Sequence, residues 1–174
     1  MTDIKKWVLI TVGALFGLLV LNAAYRFGLT TRAAINLPIM IGLALAAIVD
    51  IHRKIVPDWL TFPGLAWALA ASAFLGRPRL TDAMLGVLFC GGTLLILAVI
   101  SRGSIGGGDV KLMAMIGASL GWRWGFGVLV FAQIAAAVVA AYLFLAHRKG
   151  RKDTLPFGPF LGAAALLVLN ARPM

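Results

Sequence analysis

Residues 83–100, AMLGVLFCGGTLLILAVI, run for eighteen positions without a charge. At about 1.5 Å per residue this stretch covers most of a ~30 Å hydrocarbon core, so it predicts a membrane-crossing helix. Comparable apolar segments stand on either side, at 7–24, 35–50, 59–76, 125–146 and 155–170. A further segment, 110–121, is shorter. VKLMAMIGASLG reaches only about 18 Å as a helix, which fits a short span in a thinned site or a re-entrant segment. Backbone groups in lipid must satisfy one another, which leaves helix as the state of all seven. The expected fold is all-α: a polytopic transmembrane helical bundle of six to seven membrane segments. No linker or low-complexity tract divides residues 1–174, so a single domain is expected.

Composition agrees with this reading. Hydrophobic residues make up 61% of the chain, charged residues 13%, and the mean hydropathy is +0.98, which excludes an ordinary soluble domain. Lys5 and Lys6 precede an apolar run as in a secretory signal, but LNAAYRF is a poor cleavage site, and the segment is read as a mature helix. The net charge of +10 is spread between apolar runs. These cations read as orientation signals and lipid contacts, so the bilayer is an expected partner and nucleic acid is not. Cys90, the one cysteine, excludes an internal disulfide or a cysteine-ligated zinc, and reads as a small buried hydrophobe. No metal or cofactor is expected; His52 and His147 lie far apart in basic loops. The pairs Gly13 with Gly17 and Gly117 with Gly121 read as helix packing. Nothing in the sequence specifies an oligomeric state.

The chain has no glutamate and six aspartates. Two of them, Asp50 in AAIVDIHRKIVPDWLT and Asp109 in SIGGGDVKL, stand where apolar segments meet polar loops, and a carboxylate is costly there. Asp50 ends a helix, where the dipole disfavours a second negative charge. Alone, it fits an ion pair with Arg53 or Lys54 as well as it fits chemistry. Asp109 alone fits an ordinary N-cap. The glycines before it lack both the GxxxxGK[ST] and the GxGxxG spacing, which argues against a nucleotide loop. They would let an extended backbone come close to the carboxylate. With seven crossings, both aspartates fall on the side that carries ten of the sixteen Lys and Arg, which is the cytoplasmic side by the positive-inside rule. Two carboxylates facing one water make a complete hydrolytic apparatus. Like charges at close range share a proton near neutral pH, so one member draws a proton from water while the other polarises the scissile carbonyl.

Three motifs in order then resemble one family, the type IV prepilin peptidases, membrane-embedded aspartyl proteases of the GxGD type. Asp50, Pro57, Asp58, Leu60 and Thr61 match its first motif. Gly106, Gly108, Asp109, Lys111 and Leu112 match GxGDxKL, with the helix-ending Leu120 and Gly121 beyond. Pro156, Phe157, Gly158 and Pro159 match its late Pro-Phe/Tyr-Gly-Pro. The three motifs spread over residues 46–165, about two thirds of the chain, within a motif-bearing core at about 35–170; residues 1–34 are read as an extra helix and loop. It implies cleavage of the short basic leader of prepilins or pseudopilins, after a glycine, at the cytoplasmic face of the inner membrane. Asp50 and Asp109 are its implied catalytic residues, with Gly106, Gly107, Gly108, Lys111, Pro57 and Asp58 binding substrate or shaping the site. The family's bifunctional members carry a zinc-binding insert with cysteine pairs, absent between these motifs. The chain resembles the short, peptidase-only branch found with Flp-type pili, so no methyl transfer is expected.

Other polar residues have plainer readings. Asp58 after Pro57 and Asp82 after Thr81 read as helix caps. Lys111 either steadies a carboxylate or anchors its helix at the headgroups. Trp7, Trp59, Trp122 and Trp124 fit an interfacial belt, and Trp67 the core or the lipid face. From a different class, a non-catalytic pilus assembly protein or a proton-coupled transporter would also use intramembrane aspartates, but a carrier's repeated halves are not visible.

Overall fold

The computed structural model describes residues 13, 14, 17, 18, 20–22, 25, 31–53, 55–101, 105–145 and 156–171. Among the described residues, six continuous helices follow one another: α1 (Thr31–Arg53), α2 (Asp58–Leu75), α3 (80–100), α4 (Gly107–Leu120), α5 (Trp122–Leu145) and α6 (Gly158–Ala171). They correspond to the second to seventh expected segments. The first segment is helical at its described positions, and Val20 packs against the core. Among the described residues there is no strand.

Among the described residues, three helices are long and apolar enough to cross a membrane: Ile35–Arg53, Leu80–Ile100 and Trp122–Leu143. The protein is therefore an integral membrane protein. Exposed side chains such as Leu95, Ile96 and Val99 of α3, and Phe131, Ile134 and Val138 of α5, give it an apolar outer surface suited to lipid. Trp59, Trp122 and Trp124 lie in first turns, where the interfacial belt was expected. Trp67 is half exposed and donates its indole N–H to the Ile35 carbonyl at 3.2 Å.

The short α4 sits in the middle. It packs against α2, α3, α5 and α6, while α1 closes the ring between α2 and α6. From Leu112 to Leu120 all but Ala114 are buried. A helix that is apolar on every side belongs inside a bundle. Its shortness therefore sets no thickness mismatch, because its flanks meet protein rather than lipid. The expectation of a loop between α4 and α5 needs correction. Gly121 alone joins them, at φ 78° and ψ 166°, a conformation that side chains rarely adopt, so Gly121 serves as a turn rather than a packing surface.

Gly117 does pack as expected, but against Gly86 of α3. A Cβ on either glycine would meet the other's carbonyl, and Cys90 fills the adjoining space, buried as expected. One turn of α3 there, Val87–Gly91, is a π-helix. Gly117→Ala is expected to destabilise the protein by about 1–3 kcal/mol, because the neighbour is backbone and has no rotamer to yield. Thermal unfolding of the purified protein checks this, with Gly127→Ala as the control, since nothing lies within 4 Å of a Cβ at Gly127.

Candidate active site

The core face of α1 is a helical stripe, Ile39, Leu43, Ala46, Ala47 and Asp50, all buried. The stripe points Asp50 into the bundle rather than toward the headgroups, leaving it 4% exposed. There it meets the start of α6. The backbone N–H of Gly158 donates to Asp50 Oδ2 at 2.9 Å. The first N–H groups of a helix have no internal partner and carry the positive end of its dipole, so α6 offsets the unfavourable end of α1. The approach demands glycine: a Cβ at 158 would stand 2.7 Å from that same oxygen.

Asp109 reaches the same region from the other side. Gly106 is the N-cap of α4, and Asp109 is its third residue with no side-chain cap, so the cap reading of Asp109 is overturned. Its Oδ1 is buried and has no hydrogen-bond partner among the described residues. What brings the turn so close is Gly108, where a Cβ would lie 2.9 Å from Val56 Cβ and 3.2 Å from the Val56 backbone. The loop after Asp50 thus rests on the glycines before Asp109. Of the three, Gly108 is filled by the protein's own backbone, while Gly106 and Gly107 are exposed.

Asp109 precedes the apolar run 110–121 and lies outside the three long spans. Burial first, and then the charge of Asp50, push its carboxyl up to about 7, with a backbone hydrogen bond at Gly106 acting the other way. The pair therefore interacts electrostatically across helices far apart in sequence. One buried carboxyl accepts a helix N–H and the other keeps a bare oxygen, an arrangement able to hold one proton and one water between them.

Pro57 is the N-cap of α2, and its carbonyl accepts the N–H of Leu60 at 3.1 Å. Asp58, expected as that cap, is instead the first residue of α2 and makes no side-chain cap. Its carboxylate pairs with Lys111, Nζ to Oδ1 2.7 Å and to Oδ2 2.8 Å, and Nζ also lies 5.2 Å from the centre of the Phe62 ring. Lys111 thus steadies a carboxylate, that of Asp58. The bridge is solvent-exposed, so it is worth only about 0–1 kcal/mol, and its consequence is to tie α4 to α2 two residues beyond Asp109. Asp82, also expected as a cap, lies in the first turn of α3, whose N-cap is Arg79. His52 is exposed, and His147 and Trp7 lie outside the described residues. Among the described residues no three His, Cys, Asp or Glu gather into a metal-binding group.

Gly158 had been noted as part of a motif and given no task. The signal was present: Gly158-Pro159 opens an apolar run, and a proline just inside a helix start marks where free N–H groups point.

Residues 37–141 match the Type IV leader peptidase family. The chain is 28% identical over 169 residues to a prepilin leader peptidase/N-methyltransferase of Pseudomonas putida, covering 94% of this chain and 58% of that one. It is 30% identical over 152 residues to the protein of that name in Bacillus subtilis, covering 83% and 58%. With that of Myxococcus xanthus the figures are 35% over 140 residues, 78% and 42%. The chain spans about half the length of the curated relatives it matches. No solved structure matches it. The match takes in Asp50 and Asp109, and with it the family resemblance read from the sequence motifs is borne out: the chain belongs to the type IV leader peptidase family.

Proposed function

We propose that the chain is an intramembrane aspartyl endopeptidase with Asp50 and Asp109 as its catalytic pair, removing the short basic leader of type IV prepilins or pseudopilins, including the Flp type. One observation above all supports this: two buried carboxyls from distant helices interact at one end of the bundle, and Asp109 Oδ1 has no hydrogen-bond partner among the described residues. In the resting pair the two carboxyls share one proton. The ionised member takes a proton from the water as its oxygen attacks the scissile carbonyl, which the protonated member polarises through its own proton. The tetrahedral intermediate collapses as the leaving amine is protonated, the carbon–nitrogen bond breaks, and the pair is left sharing one proton again. These roles belong to the pair, since the proton exchanges between them.

A basic leader and a basic enzyme repel at long range, so recognition rests on the substrate's apolar helix and its backbone. An apolar groove of about 360 Å³ between α1 and α2, reaching from Trp59 to Trp67 over Met115, suits such a helix. Exposed Gly106 and Gly107 leave room for an extended backbone beside Asp109. We take the full bundle to be one domain of six to seven membrane segments in the inner membrane, with α4 enclosed and the pair facing the cytoplasm. Methyl transfer is not assigned to these residues.

The test is cleavage of a prepilin peptide by the purified chain in lipid vesicles, read by mass spectrometry across pH. With the Asp109 carboxyl raised to about 7, losing its proton leaves two charged carboxylates and no acid. The specificity constant is expected to fall above about pH 7, approaching tenfold per unit. A rate that stays level to about pH 9 would contradict the shared-proton mechanism.

A further inference from the structure

The end of the bundle opposite the two aspartates holds a second cavity, of about 410 Å³. It lies at the C-terminus of α4, twelve residues from Asp109 and so roughly 18 Å along the helix axis. Arg79 from the α2–α3 connection, Asp82 from the first turn of α3, and Trp122, Arg123 and Trp124 from the first turn of α5 line it. The proposed hydrolysis uses none of them.

The local chain path explains why they meet. The one-residue turn at Gly121 starts α5 directly against the start of α3; a Cβ at Gly121 would lie 3.4 Å from Asp82 Cβ and 3.6 Å from Pro78 Cβ. The N–H of Gly125 bonds to the Gly121 carbonyl at 2.9 Å, which closes the first turn of α5 beside this cavity. Arg123 lies over the Trp122 ring at 5.2 Å, which holds its guanidinium near the interface. Among the described residues neither arginine is ion-paired with Asp82.

The cavity thus carries two guanidinium groups, one carboxylate and two tryptophans at the level where headgroups lie. A phosphate satisfies the arginines. It does not satisfy Asp82, which would face an anion across the same small space. A ligand bearing a phosphate and, a few atoms away, an ammonium satisfies all three charges, with an indole face beside the cation. We propose that this cavity binds the zwitterionic headgroup of an aminophospholipid of the phosphatidylethanolamine class, with its phosphate on Arg79 and Arg123 and its ammonium on Asp82.

Native mass spectrometry of the purified full chain tests this, after titration with phosphatidylethanolamine, with phosphatidylglycerol of the same acyl chains, or with inorganic phosphate. The expected result is a saturable phosphatidylethanolamine adduct, about fivefold or more favoured over phosphatidylglycerol, that inorganic phosphate does not displace. Arg79→Gln with Arg123→Gln is expected to weaken it by about tenfold or more, since charge-assisted bonds to phosphate are lost. Asp82→Asn should retain lipid binding but lose the preference for the ammonium headgroup. Size-exclusion profiles matching the wild type establish that the variants are folded. Equal adducts of the two lipids in the wild type, a preference unchanged in Asp82→Asn, or displacement by inorganic phosphate would each overturn the proposal.

Discussion

Gly158→Ala is expected to lower the specificity constant for leader cleavage by about a hundredfold or more while the protein still inserts and folds. Gly158 carries no functional group, yet it is the point where α6 touches Asp50. The added methyl would stand 2.7 Å from Asp50 Oδ2 and 3.1 Å from its Cγ, inside van der Waals contact. Either Asp50 turns away or the start of α6 withdraws, and in both cases the N–H donation at 2.9 Å is lost. A displaced carboxylate no longer aligns the water with the scissile carbonyl, and misplacements of about 1 Å can cost a hundredfold. The rest of α6 offers no comparable obstacle, because Leu161, Ala165, Leu166 and Leu169 carry its packing against the bundle. Kinetics beside Gly127→Ala check it: that control should retain the wild-type rate, and near-normal cleavage by Gly158→Ala would mean the contact does not matter.

The six helices were legible because long apolar runs in lipid have one backbone solution. Their ends were less so. Residues 122–124 stood between two expected segments, whereas Gly121 completes the whole reversal and both tryptophans enter α5. The enclosure of α4 went unread for a physical reason. Its length was weighed against the bilayer, whereas its neighbours are α2, α3, α5 and α6. VKLMAMIGASL is apolar on all faces, and that pattern was the available clue to enclosure.

At the site, the motifs pointed to Asp50 and Asp109, and the general capping rule pulled the other way. It misled at Asp58, Asp82 and, read alone, Asp109, since in each case the cap is the backbone of a residue further upstream. The partner of Lys111 is 53 positions away, and the approach of Gly108 to Val56 joins two loops; no local spacing encodes either. The triple glycine promised room for substrate, yet one of the three is spent on bringing the two aspartate-bearing loops together.

Asp50→Asn and Asp109→Asn are each expected to abolish leader cleavage, with losses of about ten-thousandfold or more. An amide is close to a carboxylate in size, so the bundle keeps its packing, and in Asp50→Asn the Gly158 N–H can still donate to the amide oxygen of the replacement. What disappears is proton transfer. An amide at position 50 cannot take a proton from water, and an amide at position 109 cannot exchange one with its partner. A positioned proton-transfer group contributes about 10²–10⁴-fold, and both carboxyls act in one step, so neither loss is masked by the other. Because the two act as a unit, the double variant should be no worse than either single one.

The most direct measurement is the intact mass of a prepilin peptide after incubation with wild type, Asp50→Asn, Asp109→Asn and the double variant, each purified and reconstituted identically. The account predicts complete cleavage at the leader's end by the wild type and intact substrate with all three variants. Cleavage at a near-normal rate by either single variant, in protein that elutes and melts like the wild type, would contradict the claim that Asp50 and Asp109 form one hydrolytic site.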